Sequence, residues 1–269
     1  MPTAPEPRPD AVSPAPVPGR RTVAVEIWIV LAVSLGMSGL FALVNLVDDL
    51  TKPIPLAQQS TQLNQSQSTR HLFDLLYQLL GIASSAAPAA LALYLLVRSG
   101  RRLSHVGVDR REPRRDLGRG CLLAAIIGIP GLGLYLAAHA LGINVSVQGS
   151  GLPDVWWRYP VLVLSAIQNA VLEEIVVVAY LLTRLRDLRW RTETALATSA
   201  VLRGSYHLYQ GFGGFIGNAV MGVIFGFFFT RTRRVLPLVI AHALIDTVSF
   251  VGYAALHGHV SWLSLAILR

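Results

Sequence analysis

Long apolar runs alternate with short basic or polar segments along most of the chain. Seven of these runs approach or exceed the roughly 18 residues that indicate a membrane-spanning helix. They are Val23–Val47, Leu72–Val97, Gly120–Leu141, Pro160–Thr183, Thr194–Gln210, Gly213–Thr230 and Val235–Leu256. The pattern predicts an all-α fold, a polytopic transmembrane helical bundle of about seven to eight spans.

The segments between the runs predict how the chain is organised. The fifth and sixth runs are short and meet at the turn sequence Gly-Phe-Gly-Gly (211–214), so we expect them to form a helical hairpin. Residues 51–70 are rich in Gln, Ser and Thr and are predicted to be a solvated linker. Residues 1–22 are rich in Pro and Ala and are predicted to be a disordered cytoplasmic tail. The remaining predicted divisions are N-terminal transmembrane helices (23–159), a second transmembrane group (160–256) and a short C-terminal tail (257–269).

Composition and charge place the chain in a membrane. Hydrophobic residues make up 53% of the chain and charged residues 14%, whereas about a quarter of a soluble domain is charged. The net charge of +8 would suit nucleic acid, but with a cytoplasmic N-terminus 18 of the 23 Lys and Arg fall on the cytoplasmic side and four opposite. This distribution follows the positive-inside rule. We therefore predict a multi-pass protein integral to the cell membrane that contacts the lipid bilayer and not nucleic acid.

Ionisable residues within the apolar runs are the candidate functional groups, because each charge at a helix centre costs roughly 2.5–3.5 kcal/mol on insertion scales. The set comprises Glu173, Glu174, Arg203, His207, His242 and Asp246. At 1.5 Å per residue, they lie within roughly 10–20 Å of the cytoplasmic surface. We expect them to face one another in one cluster, with Asn169, one turn before Glu173, as a supporting residue.

Spacing within each run supports a cluster. His242 and Asp246 are four residues apart and share one helix face, as Arg203 and His207 would. Glu173 and its neighbour Glu174 are about 100° apart around a helix, so only one is expected to point at a common centre.

Two kinds of chemistry fit these groups. A buried carboxylate near histidines can activate water as a general base, and a histidine with a second acid can stabilise an oxyanion. The same groups could instead hold a divalent metal through Glu173, His207 and His242. The HExxH helix of zinc peptidases is absent, and the single cysteine, Cys121, excludes a Cys-rich metal site.

Three short motifs resemble those of a known family. They are Glu-Glu-Ile-Val-Val-Val (173–178), Arg-Gly-Ser-Tyr-His (203–207) and His-Ala-Leu-Ile-Asp (242–246). Their order resembles EExxxR, FxxxH and HxxxN/D of the CAAX-protease and bacteriocin-processing (CPBP) family, of the CAAX prenyl protease 2 type. The resemblance covers about Pro160–Val251 and implies that 160–256 is a catalytic core.

The resemblance implies an intramembrane endopeptidase whose substrate, a peptide or membrane-associated protein, enters from the membrane or the cytosol. It implies that Glu173 activates water with help from His207 and that Glu174 supports the site. His242 and Asp246 resemble the pair that stabilises the oxyanion. A divalent metal such as zinc is left open.

Two positions depart from the family motifs. Val178 stands where EExxxR has arginine, and Arg203 stands where FxxxH has phenylalanine. We hypothesise that Arg203 supplies, from a neighbouring helix, the charge that neutralises Glu174. The alternatives are a catalytically silent membrane scaffold or immunity-type protein, and a proton-coupled transporter. The inverted repeat typical of many transporters is absent from the sequence.

Overall fold

A computed structural model describes residues 19–256. Residues 1–18 of the predicted N-terminal tail and the whole predicted C-terminal tail (257–269) lie outside the described residues. Eight helices account for most of the described chain. They are α1 (Arg20–Ala32), α2 (Leu35–Thr51), α3 (His71–Arg98), α4 (Pro113–Ala140), α5 (Arg158–Asp187), α6 (Thr192–Ser205), α7 (Phe212–Thr232) and α8 (Leu236–Leu256). Helix α1 begins within the range assigned to the tail, where Arg20 Nη2 donates a hydrogen bond to the Leu188 carbonyl at 2.9 Å.

The all-α class is confirmed, and the chain is an integral membrane protein with several helices that can cross a bilayer. Within residues 19–256, five helices are long and apolar enough to do so: α3, α4, α5, α7 and α8. Helices α1 and α2 together form a sixth candidate that is bent by 49°. Strand structure in the described part is confined to two three-residue strands, β1 (Ser60–Gln62) and β2 (Ser146–Gln148), which pair in parallel.

The predicted first span is broken at Val33 and Ser34 because two local features disfavour a straight helix. The Ser34 hydroxyl donates back to the Val30 carbonyl, and such bonds bend helices. A Cβ on Gly36 would lie 2.7 Å from the Leu31 carbonyl oxygen, so the tight bend requires glycine. Glycine and serine near one another are a common cause of helix kinks.

The predicted fifth span, Thr194–Gln210, is shorter in the structure, where α6 ends at Ser205. Its 14 residues extend for about 21 Å, less than the roughly 30 Å of a hydrocarbon core. The predicted hairpin with α7 does form. A Cβ on Gly222 would lie 2.9 Å from the Ala200 Cα, so glycine permits the close approach of these two helices.

The predicted solvated linker between α2 and α3 is partly ordered. Its strand β1 pairs with β2, which lies between α4 and α5. Asp74 at the start of α3 is fully buried and accepts hydrogen bonds from the Gln67 N–H and the Ser66 hydroxyl, both at 2.8 Å. The polar composition correctly indicated a loop, but partners distant in sequence determine its path.

Helix α5 is the central element of the bundle. The most apolar stretch of α5 is 61% buried inside the protein, whereas the corresponding values for the other four long helices are between 11% and 39%. Residues Glu174–Tyr180 form a π-helical segment within α5, and Val176 to Ala179 are completely buried. A π-helical segment is rare and is frequently found at a functional site. This one begins directly after Glu173.

Ion pairs join the loops at one end of the bundle. We call it the basic end, because the arginine-rich segments that follow α3, α5 and α7 lie there. Arg234 at the start of α8 contacts the Asp116 carboxylate of α4 at 2.6 Å and Asp109 at 3.1 Å. The Val235 N–H donates to the Val106 carbonyl at 3.1 Å. These contacts fix the start of α8 against α4, and therefore fix the height at which His242 lies.

Candidate active site

Two glutamates on α5 form the centre of the candidate site. Both are buried, but the Glu174 side chain is fully enclosed whereas 11% of the Glu173 side chain is exposed. The glutamates share one partner, Arg203, so both face the same cluster. The expectation that only one would do so assumed regular α-helical geometry. The π-helical segment that starts at Glu174 widens the helix there.

Arg203 of α6 lies between the two carboxylates. Its Nη2 donates to Glu174 Oε1 at 2.7 Å, and its Nη1 contacts Glu173 Oε2 at 3.4 Å. The guanidinium is fully buried, with its carbon 5.6 Å from the centre of the Phe225 ring on α7. Arg203 therefore lies where the hypothesis that it neutralises Glu174 requires; we call this the compensation hypothesis. Val178 packs in the apolar interior.

His242 of α8 approaches the glutamates from the opposite side. Its Nδ1 is 2.8 Å from Glu174 Oε1, so this imidazole nitrogen donates when Glu174 is ionised. Its Nε2 faces two other acids, with Glu173 Oε2 at 4.0 Å and Asp246 Oδ1 at 3.7 Å. The Asn169 side chain on α5 lies near enough to Asp246 to stabilise its carboxylate. The predicted set Glu173, Glu174, His242, Asp246 and Asn169 is thus brought together.

His207 is placed differently from the sequence expectation. It follows the end of α6 in a turn and does not share a helix face with Arg203. Its Nδ1 is 3.0 Å from the Arg203 carbonyl oxygen. Within the described chain, no acidic side chain lies within 4 Å of a His207 ring nitrogen, although Glu173 is near enough to interact electrostatically. The imidazole therefore contacts the cluster through the Arg203 backbone and forms no ion pair with a carboxylate of the described chain.

Tyr206 belongs to the candidate site although it was not among the residues predicted from the sequence. Its hydroxyl donates to Glu173 Oε2 at 2.8 Å, and its ring centre lies 4.8 Å from that of His207. In the sequence, only its position directly before His207 indicated that Tyr206 could belong to the site. Because helix α6 ends here, consecutive residues can point towards the same site.

The same carboxylates give a poor fit to a divalent metal. Ligand atoms of Glu173, Glu174 and His242 lie within 4.8 Å of one another, which is close enough for shared coordination. However, Glu174 Oε1 and His242 Nδ1 are bonded to each other, and Arg203 donates to the same oxygen. A metal would have to displace these donors beside a buried guanidinium. The alternative ligand set with His207 fits less well, because His207 does not belong to this group of closely spaced ligand atoms in the described chain.

Part of the chain that contains this site matches a known protein family. Residues 155–248 match the family model of the type II CAAX prenyl endopeptidase Rce1-like proteins. The predicted family resemblance is confirmed. The Rce1-like region begins before α5, ends within α8 and contains all three motifs. No curated protein and no solved structure matched the chain. At the level of the family, the match supports an intramembrane endopeptidase of the CAAX-protease type.

Proposed function

We propose that this protein is an intramembrane endopeptidase in which Glu173 activates a water molecule for attack on a peptide bond. The observation that supports this is the different environment of two adjacent glutamates. Glu174 Oε1 is bonded to Arg203 and His242 in a fully buried position, whereas Glu173 retains exposed surface. A general base must reach both water and substrate, and Glu173 meets that requirement.

The other residues are assigned roles by their contacts. Tyr206 and Arg203 hold Glu173 Oε2, which leaves Oε1 to take a proton from water. As water attacks the carbonyl carbon, the carbonyl oxygen becomes negative, and the Nε2–H of protonated His242 can donate to it. Collapse of this intermediate breaks the C–N bond, and Glu173 returns the proton to the leaving amine. Glu174 orients the imidazole through Nδ1. Asp246, near Asn169, supports His242 from its own helix.

The topology and the substrate are also part of the proposal. We propose that residues 160–256 form the catalytic core and that the basic end of the bundle faces the cytoplasm, with the N-terminus on that side in the cell membrane. The substrate would be a peptide or a membrane-associated protein that reaches Glu173 from the bilayer or the cytosol.

Substitution of His242 tests the proposed reaction. We expect the purified protein in liposomes to cleave a farnesylated C-terminal reporter peptide or its unprenylated form. His242→Ala should lower kcat by about 10²–10³-fold with little change in KM, because an oxyanion donor acts mainly in the transition state. Product release is measured by mass spectrometry. His71→Ala, at the exposed start of α3, is the matched control. Proton flux without cleavage in the same liposomes would favour the transporter alternative instead.

Chelation tests whether a metal takes part. We expect cleavage to survive dialysis against EDTA and 1,10-phenanthroline, because Arg203 already occupies the carboxylates that would bind the ion. A zinc peptidase with an HExxH helix, treated in parallel, should lose its activity. Loss of cleavage that added zinc restores would contradict the assignment and show that the Arg203 contacts yield to a metal.

A further inference from the structure

A polar cavity of about 340 Å³ opens at the basic end of the bundle, away from the glutamates. It lies between the turn that follows α3, the end of α5 and the turn that follows α7. Its lining includes three arginines and three uncharged or weakly basic polar side chains. They are Arg101, Arg186, Arg233, Ser104, His105 and Thr183. Thr183 is ten residues from Glu173 on α5, about 15 Å along the helix axis, so this cavity is separate from the candidate active site.

The arginines that line the cavity have few acidic partners. Arg186 and Arg233 form no ion pair with any residue in the described range 19–256, and Arg101 has one partner, Asp187. By contrast, Arg184 contacts Glu26 at 3.0 Å, and Arg234 contacts Asp116 at 2.6 Å. Burial and then the charges of Arg186 and Arg101 lower the pKa of Arg233. An anion in the cavity would relieve this repulsion.

Thr183 provides a second, independent indication of a ligand. Its side chain is almost completely buried, yet its Oγ1 has no hydrogen-bond partner among the described residues. Helical threonines commonly donate back to a carbonyl three or four residues earlier. Thr230 and Thr232 of α7 do so, at 2.8 and 2.9 Å. The Thr183 hydroxyl therefore remains available as a donor at the cavity wall, where an unpaired polar group is costly.

The backbone conformation of Arg233 also favours an anion site at this cavity. Arg233 has φ 56° and ψ 28°, the left-handed conformation that glycine or asparagine usually adopts after a helix. Its guanidinium carbon lies 5.4 Å from the centre of the Phe229 ring. Arginine at this position is strained, and its side chain reaches the cavity wall while its backbone ends α7.

We propose that this cavity binds a phosphate group, most readily that of an anionic phospholipid headgroup. Guanidinium groups bind phosphate through paired N–H donors, and the hydroxyls of Thr183 and Ser104 supply further donors. The cavity lies at the ends of helices α3, α5 and α7, where lipid headgroups lie in a bilayer. Free inorganic phosphate has the same chemistry and is the other source.

Lipid titration of the detergent-solubilised protein tests the proposal. Native mass spectrometry would measure the binding of dioctanoyl phosphatidylglycerol and dioctanoyl phosphatidylcholine to the full chain. We expect phosphatidylglycerol to bind at least about tenfold more tightly, and Arg186→Gln with Arg233→Gln to remove most of that preference. Arg186→Gln alone is the safeguard against misfolding, because Arg186 is exposed and unpaired in the described chain. Thr183→Val should weaken binding, while Thr183→Ser should preserve it.

A second double variant controls for charge alone. Arg110→Gln with Arg114→Gln removes two exposed arginines from the same end of the bundle and should leave the affinity within about twofold of wild type. Equal losses in the two double variants, or equal binding of the two lipids together with no binding of orthophosphate, would overturn the proposal. Binding of orthophosphate that requires Arg186 and Arg233, without a lipid preference, would support the cavity and assign free phosphate as its ligand.

Discussion

Glu173→Gln is expected to lower kcat for peptide cleavage by about 10²–10⁴-fold, the range that general-base catalysis supplies. The amide keeps the shape of the side chain but cannot accept a proton from water. Binding of the peptide should change little, so KM is expected to stay near the wild-type value. The measurement is steady-state cleavage of the reporter peptide by the purified protein in liposomes.

The matched control for this variant is Glu193→Gln on α6. Its carboxylate is 78% exposed and lies 3.6 Å from Arg191, which is also exposed, so the same chemical change there should leave cleavage unaffected. Equal cleavage by the Glu173→Gln variant and the wild type would exclude Glu173 as the base. Absence of cleavage in the wild type itself, with every peptide tested, would favour the catalytically silent alternative.

Arg203→Leu is expected to lower the free energy of unfolding by about 3–5 kcal/mol, the usual cost of removing one partner from a buried ion pair. Two buried carboxylates would lose their shared guanidinium. Cleavage should fall as well, because Arg203 helps to hold Glu173 Oε2. Thermal unfolding in detergent and cleavage of the reporter peptide are the two measurements.

A double variant separates the charge from the packing. Arg203→Leu combined with Glu174→Gln should recover much of the lost stability, because the enclosed carboxylate that needs a partner is gone. Arg114→Leu, at the exposed start of α4, is the control for loss of an arginine and should change stability by less than about 0.5 kcal/mol. Normal folding and cleavage by Arg203→Leu, with Glu174 still ionised, would refute the compensation hypothesis.

If these results are obtained, the two departures from the family motifs, Val178 and Arg203, are linked to each other. The motif arginine is missing at Val178, which is fully enclosed in the apolar interior. Arg203 provides a guanidinium from α6 to the same glutamate, at 2.7 Å from Glu174 Oε1. The loss of the motif arginine would then be compatible with a functional site.

The sequence by itself determined the class of the protein and predicted most of the ionisable residues that the structure brings together. Long apolar runs are costly in water, and buried charges are costly in lipid, so composition and pattern alone predict transmembrane helices with paired ionisable groups. The spacing of His242 and Asp246 correctly placed both on one face of α8, because that helix is regular.

Tertiary structure decided the features that depend on irregular backbone or on distant partners. Both glutamates contact Arg203 although they are adjacent on α5, and α6 ends before His207, so helical periodicity alone did not predict these two placements. Tyr206 joins the site through that turn. The Thr183 hydroxyl, which has no partner among residues 19–256, lies beside Arg186 and Arg233 only because three segments meet there. Helical periodicity predicts which residues share a face of one regular helix. These contacts arise where a helix departs from regular geometry or packs against another helix.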